Sequence, residues 1–534
     1  MLTINRTKLI LLVSLYLTLF YNFTFFRSLL DAYPLEGMNY INIFSVALIV
    51  FLLNNFLFTL FGFKYLIKPL LFIVVIVSSF VAYFMDSYSI VVDTEMIRNT
   101  LQTNLNESMD LFNFKLVLYF LFLGLLPAFF IYKTKINYSS TKKEILSKLK
   151  SIILSLLLIA IIIFSFSKFY SSFFREHKPL RYNVNPTYWI YSVGKYIGSL
   201  SKGAKEEFKT IGDDAKVVEE ESEDKELIIL VVGETARADR FSLNGYKKET
   251  NPLLKKEDII NFPNMYSCGT STAVSVPCMF SIYDKADYDY EKGVSTENIL
   301  DVLNDTKDIK ILWRDNNSDS KGVALRVDYE DYKIPKNNTI CDEECRDEGM
   351  LVGLDKYIEK NKGKDILIVL HQMGNHGPAY YKRYPKEFEK FTPVCKTNEL
   401  QNCTNEEINN AYDNAILYTD YFLSKVINFL KPYSKKYETA MIYLSDHGES
   451  LGENGIYLHG MPYMIAPEVQ KHIPAVLWLG EGEMREDYDL EKVRSYSNRE
   501  FTQDNLFHTL LGLFEVETKS YKKEMDILNE SRVN

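Results

Sequence analysis

One stretch of the sequence decides the fold: Leu227-Ile228-Ile229-Leu230-Val231-Val232, followed by Gly233-Glu234. An uninterrupted apolar run of this length predicts a strand that is buried on both faces, as in a parallel sheet covered by helices. Two further runs also end in polar residues that can bind metal or phosphate: Asp365–Leu370 before His371, and Ala440–Leu444 before Ser445-Asp446-His447. In such sheets, ligands bind at the carboxyl ends of the strands. The three runs therefore predict an α/β domain with one site built from distant residues.

The chain length implies more than one domain. The chain has 534 residues, whereas a single hydrophobic core rarely grows beyond about 250–300 residues. We expect a transmembrane domain at residues 1–168, an interfacial helix and linker at 169–225, and a catalytic α/β domain at 226–534. The net charge of -9 gives no indication of nucleic-acid binding.

The first third of the chain contains apolar segments that approach the roughly 20 residues needed to cross a membrane. There are five of them: Ile10–Phe25, Ile41–Gly62, Leu66–Tyr83, Phe114–Ile131 and Ile152–Phe166. Lysines crowd the loop between the fourth and fifth segments, whereas the loop between the third and fourth is acidic and contains Glu107 and Asp110. The positive-inside rule then places the amino terminus in the cytoplasm and the catalytic domain outside it.

Two short segments connect the predicted domains. The aromatic stretch Asn185–Tyr191 is typical of a membrane interface and predicts an amphipathic helix on the outer leaflet. A linker helix packed on the soluble domain is the alternative. The acidic run Glu219–Asp224 predicts a solvated linker ahead of the catalytic domain.

The cysteines support this topology, because all six lie in the predicted external domain. An even number of cysteines in an oxidising compartment predicts disulfides, and reduced buried thiols are the alternative. Closure of short loops favours three local pairs: Cys268 with Cys278, Cys341 with Cys345, and Cys395 with Cys403.

A hydroxyl-rich segment, Ser267 to Cys278, precedes a predicted helix. The free backbone N–H groups at the start of a helix favour a phosphoryl group, so a nucleophilic hydroxyl here would meet its substrate. An ordinary helix cap is the alternative interpretation. Spacing leaves four candidate nucleophiles open: Thr270, Ser271, Thr272 and Ser275.

Carboxylates and imidazoles follow the three predicted strands, and zinc accepts both in one coordination shell. Glu234 follows the first strand, and Asp446 with His447 follows the third. A lone histidine is more often structural than a ligand, but four of the seven histidines follow the two later strands: His371, His376, His447 and His459. A fourth strand-like stretch, Ile309–Trp313, leads into a polar loop ending at Gly322 that could hold phosphate oxygens or simply be a solvated turn.

Together these motifs resemble the phosphoethanolamine transferases that modify lipid A and related glycans in Gram-negative envelopes, including the mobile colistin-resistance enzymes. The matching stretches are Gly233 to Arg237, Ser267 to Cys278, Trp313 to Gly322, His371 to Pro378, and Ser445 to Gly460. They cover most of residues 226–534, and the membrane half matches only in the number and topology of its spans. The resemblance implies an α/β domain of the alkaline-phosphatase and sulfatase type outside five transmembrane helices.

The resemblance also implies roles for single residues. It makes Thr272 the nucleophile, and it makes Glu234, Thr272, Asp446 and His447 the ligands of one tightly bound Zn²⁺. The other candidates would contact the substrate or a second Zn²⁺: His371, His376, His459, Asn317, Ser318 and Lys321.

The implied reaction is zinc-dependent transfer of phosphoethanolamine from phosphatidylethanolamine to lipid A, or to another envelope glycan or protein, through a phosphothreonine-type intermediate. We expect a monomeric, multi-pass protein of the bacterial inner membrane, with its catalytic domain in the periplasm and a role in polymyxin resistance. The alternatives are a phosphoglycerol transferase, a phosphatase- or sulfatase-like hydrolase of the same superfamily, and a non-enzymatic membrane-anchored sensor with a degenerate site.

Overall fold

The computed structural model describes residues 3–103, 105–203, 207–218 and 225–533. The chain divides into two compact units. The first unit contains Met1–Ile97 and Phe112–Tyr196, and the second contains Arg98–Leu111 and Ile197–Asn534. The segment 98–111, which the sequence places between two spans, therefore belongs to the same unit as the predicted catalytic domain. The predicted acidic linker, Glu219–Asp224, lies outside the described residues.

The first unit is helical. Within the described residues, four helices are long and apolar enough to cross a membrane, or five if a pair bent by 57° counts as one span. This confirms the predicted helical membrane domain, with the bent pair as the first span. The helices are Arg6–Phe20 and Phe23–Ala32 (the bent pair), Asn39–Leu60, Ile67–Tyr88, Phe114–Tyr119 continuing through a π-helical turn into Leu126–Lys133, Thr141–Ser165, and Ser167–Glu176.

A buried asparagine accompanies the bend in the first span. Asn22 donates from its side chain to the carbonyl of Leu17 at 2.9 Å and to that of Asn185 at 2.8 Å, and it accepts from the Asn185 N–H at 2.9 Å. A side chain that bonds backbone groups in this way competes with a continuous helix. The nearby helix Thr187–Gly203 includes residues 187–191 of the predicted interfacial segment, and its Trp189 donates to the Ser78 hydroxyl at 3.2 Å. Trp189 therefore packs among the span helices.

The second unit is built on a large sheet, which has eight strands within the described residues. In chain order they are β1 Lys225–Gly233, β2 Ile259–Tyr266, β3 Ile309–Asp315, β4 Asp328–Asp331, β5 Asp365–His371, β6 Tyr437–Ser445, β7 His472–Leu479 and β8 Phe501–Thr502. Their order across the sheet is β8-β2-β7-β6-β1-β5-β3-β4. Strand β7 runs antiparallel to both of its neighbours, and the other pairings are parallel. The predicted parallel sheet is thus correct except at β7.

The three apolar runs of the sequence form adjacent central strands. Strand β1 lies between β6 and β5, and every residue from Leu227 to Val232 is fully buried. Val232 pairs with His371 on one side, and Gly233 pairs with Ser445 on the other. The chain segments that follow these three strands therefore leave the sheet at the same edge.

Helices cover the sheet of the second unit. The longest begins with a capping box, in which Thr404 and Glu407 each accept a hydrogen bond from the other's backbone N–H. Two further helices, Thr94–Gln102 and Thr187–Gly203, each contain a boundary between the two units. The helices that lie wholly within the second unit are Leu105–Asp110, Thr272–Met279, Tyr290–Val294, Ile299–Asp305, Leu354–Lys360, Asn405–Leu430, Glu483–Glu486, Leu490–Tyr496 and Asn505–Leu513. The six cysteines form the three predicted local disulfides: Cys268–Cys278, Cys341–Cys345 and Cys395–Cys403.

A pair of buried carboxyl groups lies at the amino end of the central strands, opposite the predicted site. Glu226 begins the apolar part of β1, and its N–H donates to Asp365 at 3.3 Å. Burial and the neighbouring Asp365 carboxyl raise the pKa of Glu226 above its ordinary value of 4.5. The folded protein therefore keeps a proton on Glu226 that the unfolded chain releases. Stability falls as the pH rises from the ordinary value toward the raised pKa.

We expect Glu226→Gln to remove this pH-dependent loss, because an amide does not titrate. Thermal unfolding at about pH 5 and about pH 8 should show the variant gaining stability relative to the unmodified protein as the pH rises. Glu491→Gln is the control, since the Glu491 side chain is 90% exposed. An identical pH dependence of the melting temperature in the Glu226 variant and the unmodified protein would refute the interpretation that folded Glu226 keeps a proton.

Candidate active site

The ends of β1 and β6 deliver three of the predicted metal ligands to one place. Glu234 follows Gly233 at the end of β1, where a Cβ atom would lie 2.6 Å from the Tyr443 ring, so a larger residue would not fit. Thr235 then adopts a φ of 50° and donates its N–H to Asp446 at 3.1 Å. This sharp turn, held by the neighbouring strand end, places the Glu234 carboxylate beside Asp446 and His447.

Glu234, Asp446 and His447 form a compact cluster of donor atoms. All three residues are fully buried, and one ligand atom from each lies within 4.8 Å of the others. His447 Nδ1 lies 2.9 Å from the Gly448 carbonyl, which can only accept, so Nδ1 carries the proton. This leaves the lone pair of Nε2 facing Asp446 Oδ2 at 3.3 Å and Glu234 Oε1 at 3.5 Å.

The chemistry of this cluster fits a divalent cation. Asp446 Oδ1 accepts two backbone N–H groups, whereas the buried Oδ2 has no hydrogen-bond partner among the described residues. Burial and the Asp446 charge raise the pKa of Glu234, and burial lowers the pKa of His447. Two buried carboxylates beside a neutral imidazole are unfavourable without a compensating positive charge. Their oxygen and nitrogen donors are those that zinc accepts.

Thr272 faces this cluster from the first position of the helix Thr272–Met279. Its hydroxyl lies 3.1 Å from Glu234 Oε2 and 3.4 Å from His447 Nε2. Two of the other three candidates differ, since Thr270 donates to the Met461 carbonyl and Ser275 to the Asp446 carbonyl. The third, Ser271, is the N-cap residue of this helix, and its side chain makes no cap hydrogen bond. Free N–H groups and the positive end of the helix dipole at Thr272 favour an anionic phosphoryl group there.

His376 and His459 lie next to the cluster. The His459 ring centroid is 4.4 Å from that of His447 and 5.5 Å from that of His376. Glu449 accepts from His459 Nδ1 at 3.0 Å and from the Tyr380 hydroxyl at 2.9 Å, which fixes the orientation of the His459 ring. Burial opposes protonation of His459, but the Glu449 carboxylate outweighs burial and raises the pKa of His459. The pKa of His376 is lowered by burial and by the neighbouring His459.

His371 has a different environment from these two histidines. It is fully buried at the end of β5, and its Nδ1 lies 2.9 Å from Asp315 Oδ2 on the neighbouring strand. The Trp313 indole also donates to Asp315 Oδ2 at 3.0 Å. Among the described residues no hydrogen bond joins His371 to Glu234, Asp446, His447 or Thr272. The buried Nε2 of His371 has no hydrogen-bond partner among the described residues, so its predicted contact with the substrate or a second Zn²⁺ stays a prediction.

The polar loop after β3 reaches the cluster through Asn317. Its side-chain amide donates to Glu234 Oε2 and to the Gln372 carbonyl, both at 2.7 Å. Lys321 has a φ of 52° and donates to the Gln102 carbonyl at 3.3 Å. Ser318 is hydrogen-bonded to the carboxyl of Glu107, whose pKa is raised by burial and lowered to a lesser extent by Lys321. The structure thus brings Asn317, Ser318 and Lys321 to one rim of the site.

Sequence reasoning missed two acidic residues at the site. Glu107 lies on the segment between two spans, and the signal that could have identified it is the acidic character of that external loop. Asp347 is buried and accepts the backbone N–H groups of Met373 and Gly374 at 2.9 and 3.1 Å, so it holds the turn ahead of His376. It follows a stretch with no recognisable motif, and the sequence contains no signal for its role.

Comparisons with known proteins agree with this architecture. A family model described as sulfatase matches residues 226–516, and one described as phosphoethanolamine transferase EptA/EptB matches residues 50–200. Phosphatidylethanolamine transferase Mcr-2 of Escherichia coli is 46% identical over 96% of both chains. Phosphoethanolamine transferase EptA of Escherichia coli K12 is 40% identical over 99% of this chain and 98% of that protein.

Among solved structures, the integral membrane protein lipooligosaccharide phosphoethanolamine transferase A (EptA) of Neisseria meningitidis superposes with a TM-score of 0.95. It is 35% identical to this chain, and the match covers all of both chains. The same two-part organisation, a membrane-embedded helical unit with a soluble domain of periplasmic type, is therefore present here. The chain belongs to the phosphoethanolamine transferase family, and it is an enzyme of that class whose soluble domain has the alkaline phosphatase superfamily fold.

Proposed function

We propose that this protein transfers phosphoethanolamine from phosphatidylethanolamine to lipid A, with Thr272 as the nucleophile. The observation that carries the proposal is the contact of the Thr272 hydroxyl with Glu234 at 3.1 Å and with His447 at 3.4 Å, at the start of a helix. The names of two relatives support the substrates. Mcr-2 is a phosphatidylethanolamine transferase, and the Neisseria protein is a lipooligosaccharide phosphoethanolamine transferase.

One Zn²⁺ is the cofactor that we propose, held by Glu234, Asp446, His447 and the Thr272 hydroxyl. The unpartnered Asp446 Oδ2 and the lone pair of His447 Nε2 support this assignment. When bound, zinc would supply Lewis-acid chemistry, which stabilises negative charge on oxygen and makes a hydroxyl usable as a nucleophile near neutral pH. A second Zn²⁺ near His376 and His459 is part of the proposal, because the two imidazoles are neighbours.

The proposed reaction has two displacements at phosphorus. Thr272 Oγ1 loses its proton and forms a bond to the donor phosphorus, while the bond from phosphorus to the diacylglycerol oxygen breaks and that oxygen takes up a proton. A phosphate or hydroxyl oxygen of the acceptor then forms a bond to the same phosphorus and gives up any proton that it carries, while the bond from phosphorus to Thr272 Oγ1 breaks and Oγ1 takes up a proton. Charge stabilisation and positioning provide most of the acceleration in phosphoryl transfer.

The surrounding residues position the substrate in this proposal. Glu449 holds His459 through Nδ1, which leaves its Nε2 for the substrate. We assign His376, Ser318 and Lys321 to contacts with the transferred group, and Asn317 to holding Glu234. We place the enzyme in the bacterial inner membrane as a monomer, with residues 1–168 as the transmembrane domain, 169–225 as interfacial helix and linker, and 226–534 as the periplasmic catalytic domain.

Mass spectrometry of lipid A from cells with and without this protein tests the proposal. We expect lipid A to gain phosphoethanolamine only when the protein is present, and polymyxin resistance to rise with it. The purified protein incubated with phosphatidylethanolamine should carry phosphoethanolamine on Thr272. A phosphoglycerol adduct, or hydrolysis of the donor without any acceptor, would instead indicate a phosphoglycerol transferase or a hydrolase of the same superfamily.

A further inference from the structure

A single buried arginine joins three parts of the second unit beside the site. Arg383 is 3% exposed, and its three guanidinium nitrogens point to different partners. Nε donates to the carbonyl of His376 at 2.6 Å, one terminal nitrogen donates to Asp110 Oδ2 at 2.5 Å, and the other donates to Glu344. The planar guanidinium has donors in fixed directions, so these contacts fix the three partners relative to one another.

Glu344 is itself held in a small ring. The Cys341–Cys345 disulfide closes a loop in which the Asp342 N–H donates to the Glu344 carbonyl at 3.0 Å. Arg346, which follows the ring, donates to the Asp342 side chain and to the Lys382 carbonyl, the latter at 2.6 Å. The ring is therefore tied to Arg383 and to the residue before it, Lys382.

Asp110 anchors the carboxyl end of the segment 98–111. Besides Arg383, it receives Lys382 Nζ at 2.7 Å, and its carbonyl accepts from the Asn398 side chain at 2.6 Å. Burial opposes ionisation of Asp110, but Arg383 and Lys382 outweigh it and hold the pKa of this carboxyl below its usual range. The Asp110 carboxyl thus lies between two cations that favour its ionised form.

The other end of this segment is anchored separately. Arg98 forms an ion pair with Glu291 at 2.9 Å and lies over the Tyr290 ring at 3.8 Å from its centroid. Between the two anchors, Gln102 accepts from Lys321 and Glu107 is hydrogen-bonded to Ser318. The segment therefore spans the rim of the site, and its position over that rim depends on both ends.

We infer that Arg383 is a positioning residue that sets the turn of His376 and the segment carrying Glu107 relative to Thr272. It acts on the substrate only through these neighbours. The inference adds a residue to the proposed transfer reaction, and its expected effects on KM and kcat rest on that proposed function. His376 and Glu107 lie on the side of the Glu234, Asp446 and His447 cluster that we assign to the substrate. Loss of the contacts made by Arg383 should therefore weaken binding of the donor more than it slows turnover.

Arg383→Lys tests the inference, since lysine keeps the charge but has one nitrogen in place of three directed donors. In the full-length, zinc-loaded enzyme we expect KM for phosphatidylethanolamine to rise by about tenfold and kcat to change much less. Hydrogen exchange of the described amides in 98–111 should accelerate, while zinc content stays unchanged. Asp110→Asn should shift KM and exchange in the same direction.

Arg314→Lys is the matched control, because Arg314 is also 3% exposed and bonds Glu330 and the carbonyls of Met350 and Val352. It should lower the melting temperature without raising KM. The inference is overturned if Arg383→Lys changes neither KM nor hydrogen exchange. It is also overturned if Arg383→Lys loses as much stability as Arg314→Lys while its KM stays unaltered. If the unmodified protein transfers no phosphoethanolamine, the proposed function fails, and the exchange experiment still decides the role of Arg383.

Discussion

Replacing Thr272 with alanine is expected to abolish phosphoethanolamine transfer, with a loss of at least about 10³-fold in kcat. Alanine lacks Oγ1, which is the atom that bonds to phosphorus in the proposed first displacement. The measurement is turnover of phosphatidylethanolamine in detergent together with the intact mass of the protein. The variant should carry no phosphoethanolamine, whereas the unmodified protein should carry one such group when acceptor is withheld.

Two further variants sharpen this test. Thr272→Ser keeps the hydroxyl 3.1 Å from Glu234 in the present geometry, so it should retain part of the activity and still form the adduct. Thr509→Ala is the matched control, because Thr509, like Thr272, is a buried threonine in a helix. Its hydroxyl donates to the Asn505 carbonyl at 2.9 Å instead of facing the cluster. It should transfer at the normal rate. An adduct on Thr272→Ala, or full activity without the hydroxyl, would rule out the proposed nucleophile.

Asp446→Asn is expected to remove the metal with little change to the fold. The asparagine carbonyl can keep the two backbone hydrogen bonds that Oδ1 accepts from Thr235 and His447, at 3.1 and 2.7 Å. Only the charge and the unpartnered Oδ2, which faces His447 Nε2, are replaced. We expect zinc content to fall well below one ion per protein and kcat to fall by on the order of 10²-fold or more.

Metal analysis and thermal unfolding separate this effect from general damage. Asp420→Asn is the control for a buried carboxylate away from the cluster, because Asp420 is also fully buried. Its Oδ2 accepts the Leu253 N–H and its Oδ1 the Leu254 N–H, both at 2.9 Å, so the control variant loses one backbone hydrogen bond that the Asp446 variant does not. The Asp420 variant should keep its zinc. A full complement of tightly bound zinc in Asp446→Asn, with normal turnover, would exclude Asp446 as a ligand.

Much of the architecture could be predicted because it depends on patterns that are local in the chain. The apolar runs at 227–232, 365–370 and 440–444 bury both faces, so they are recognisable without any partner strand. The same holds for the spans and for the disulfides, which close short loops. The antiparallel β7 was not predicted, because strand direction depends on the path of the connecting chain rather than on the strand's own residues.

The candidate site was predictable only in part. Strand ends and histidine clusters indicated Glu234, Asp446, His447, His376 and His459, because their signals lie in single short stretches. His371 has the same local pattern, but the structure buries it against Asp315, and only the pairing of β3 with β5 determines that. Arg383 carries no local signal, because its importance comes from contacts with residues far away in the chain. For Glu107 the acidic loop is a signal, but the loop does not reveal the contact with Ser318.

The sequence by itself determined an α-helical membrane unit, an α/β domain, and strand ends rich in zinc-type ligands, because hydrophobic period and residue type are properties of short segments. Tertiary structure alone decided which hydroxyl faces the ligands. Thr270, Ser271, Thr272 and Ser275 are equivalent as a pattern, and only the register of the helix start against β1 and β6 places the Thr272 hydroxyl beside Glu234 and His447. Tertiary structure also decided that segment 98–111 belongs with the catalytic unit, since charges more than 200 residues apart, such as Asp110 and Arg383, meet only in the folded chain.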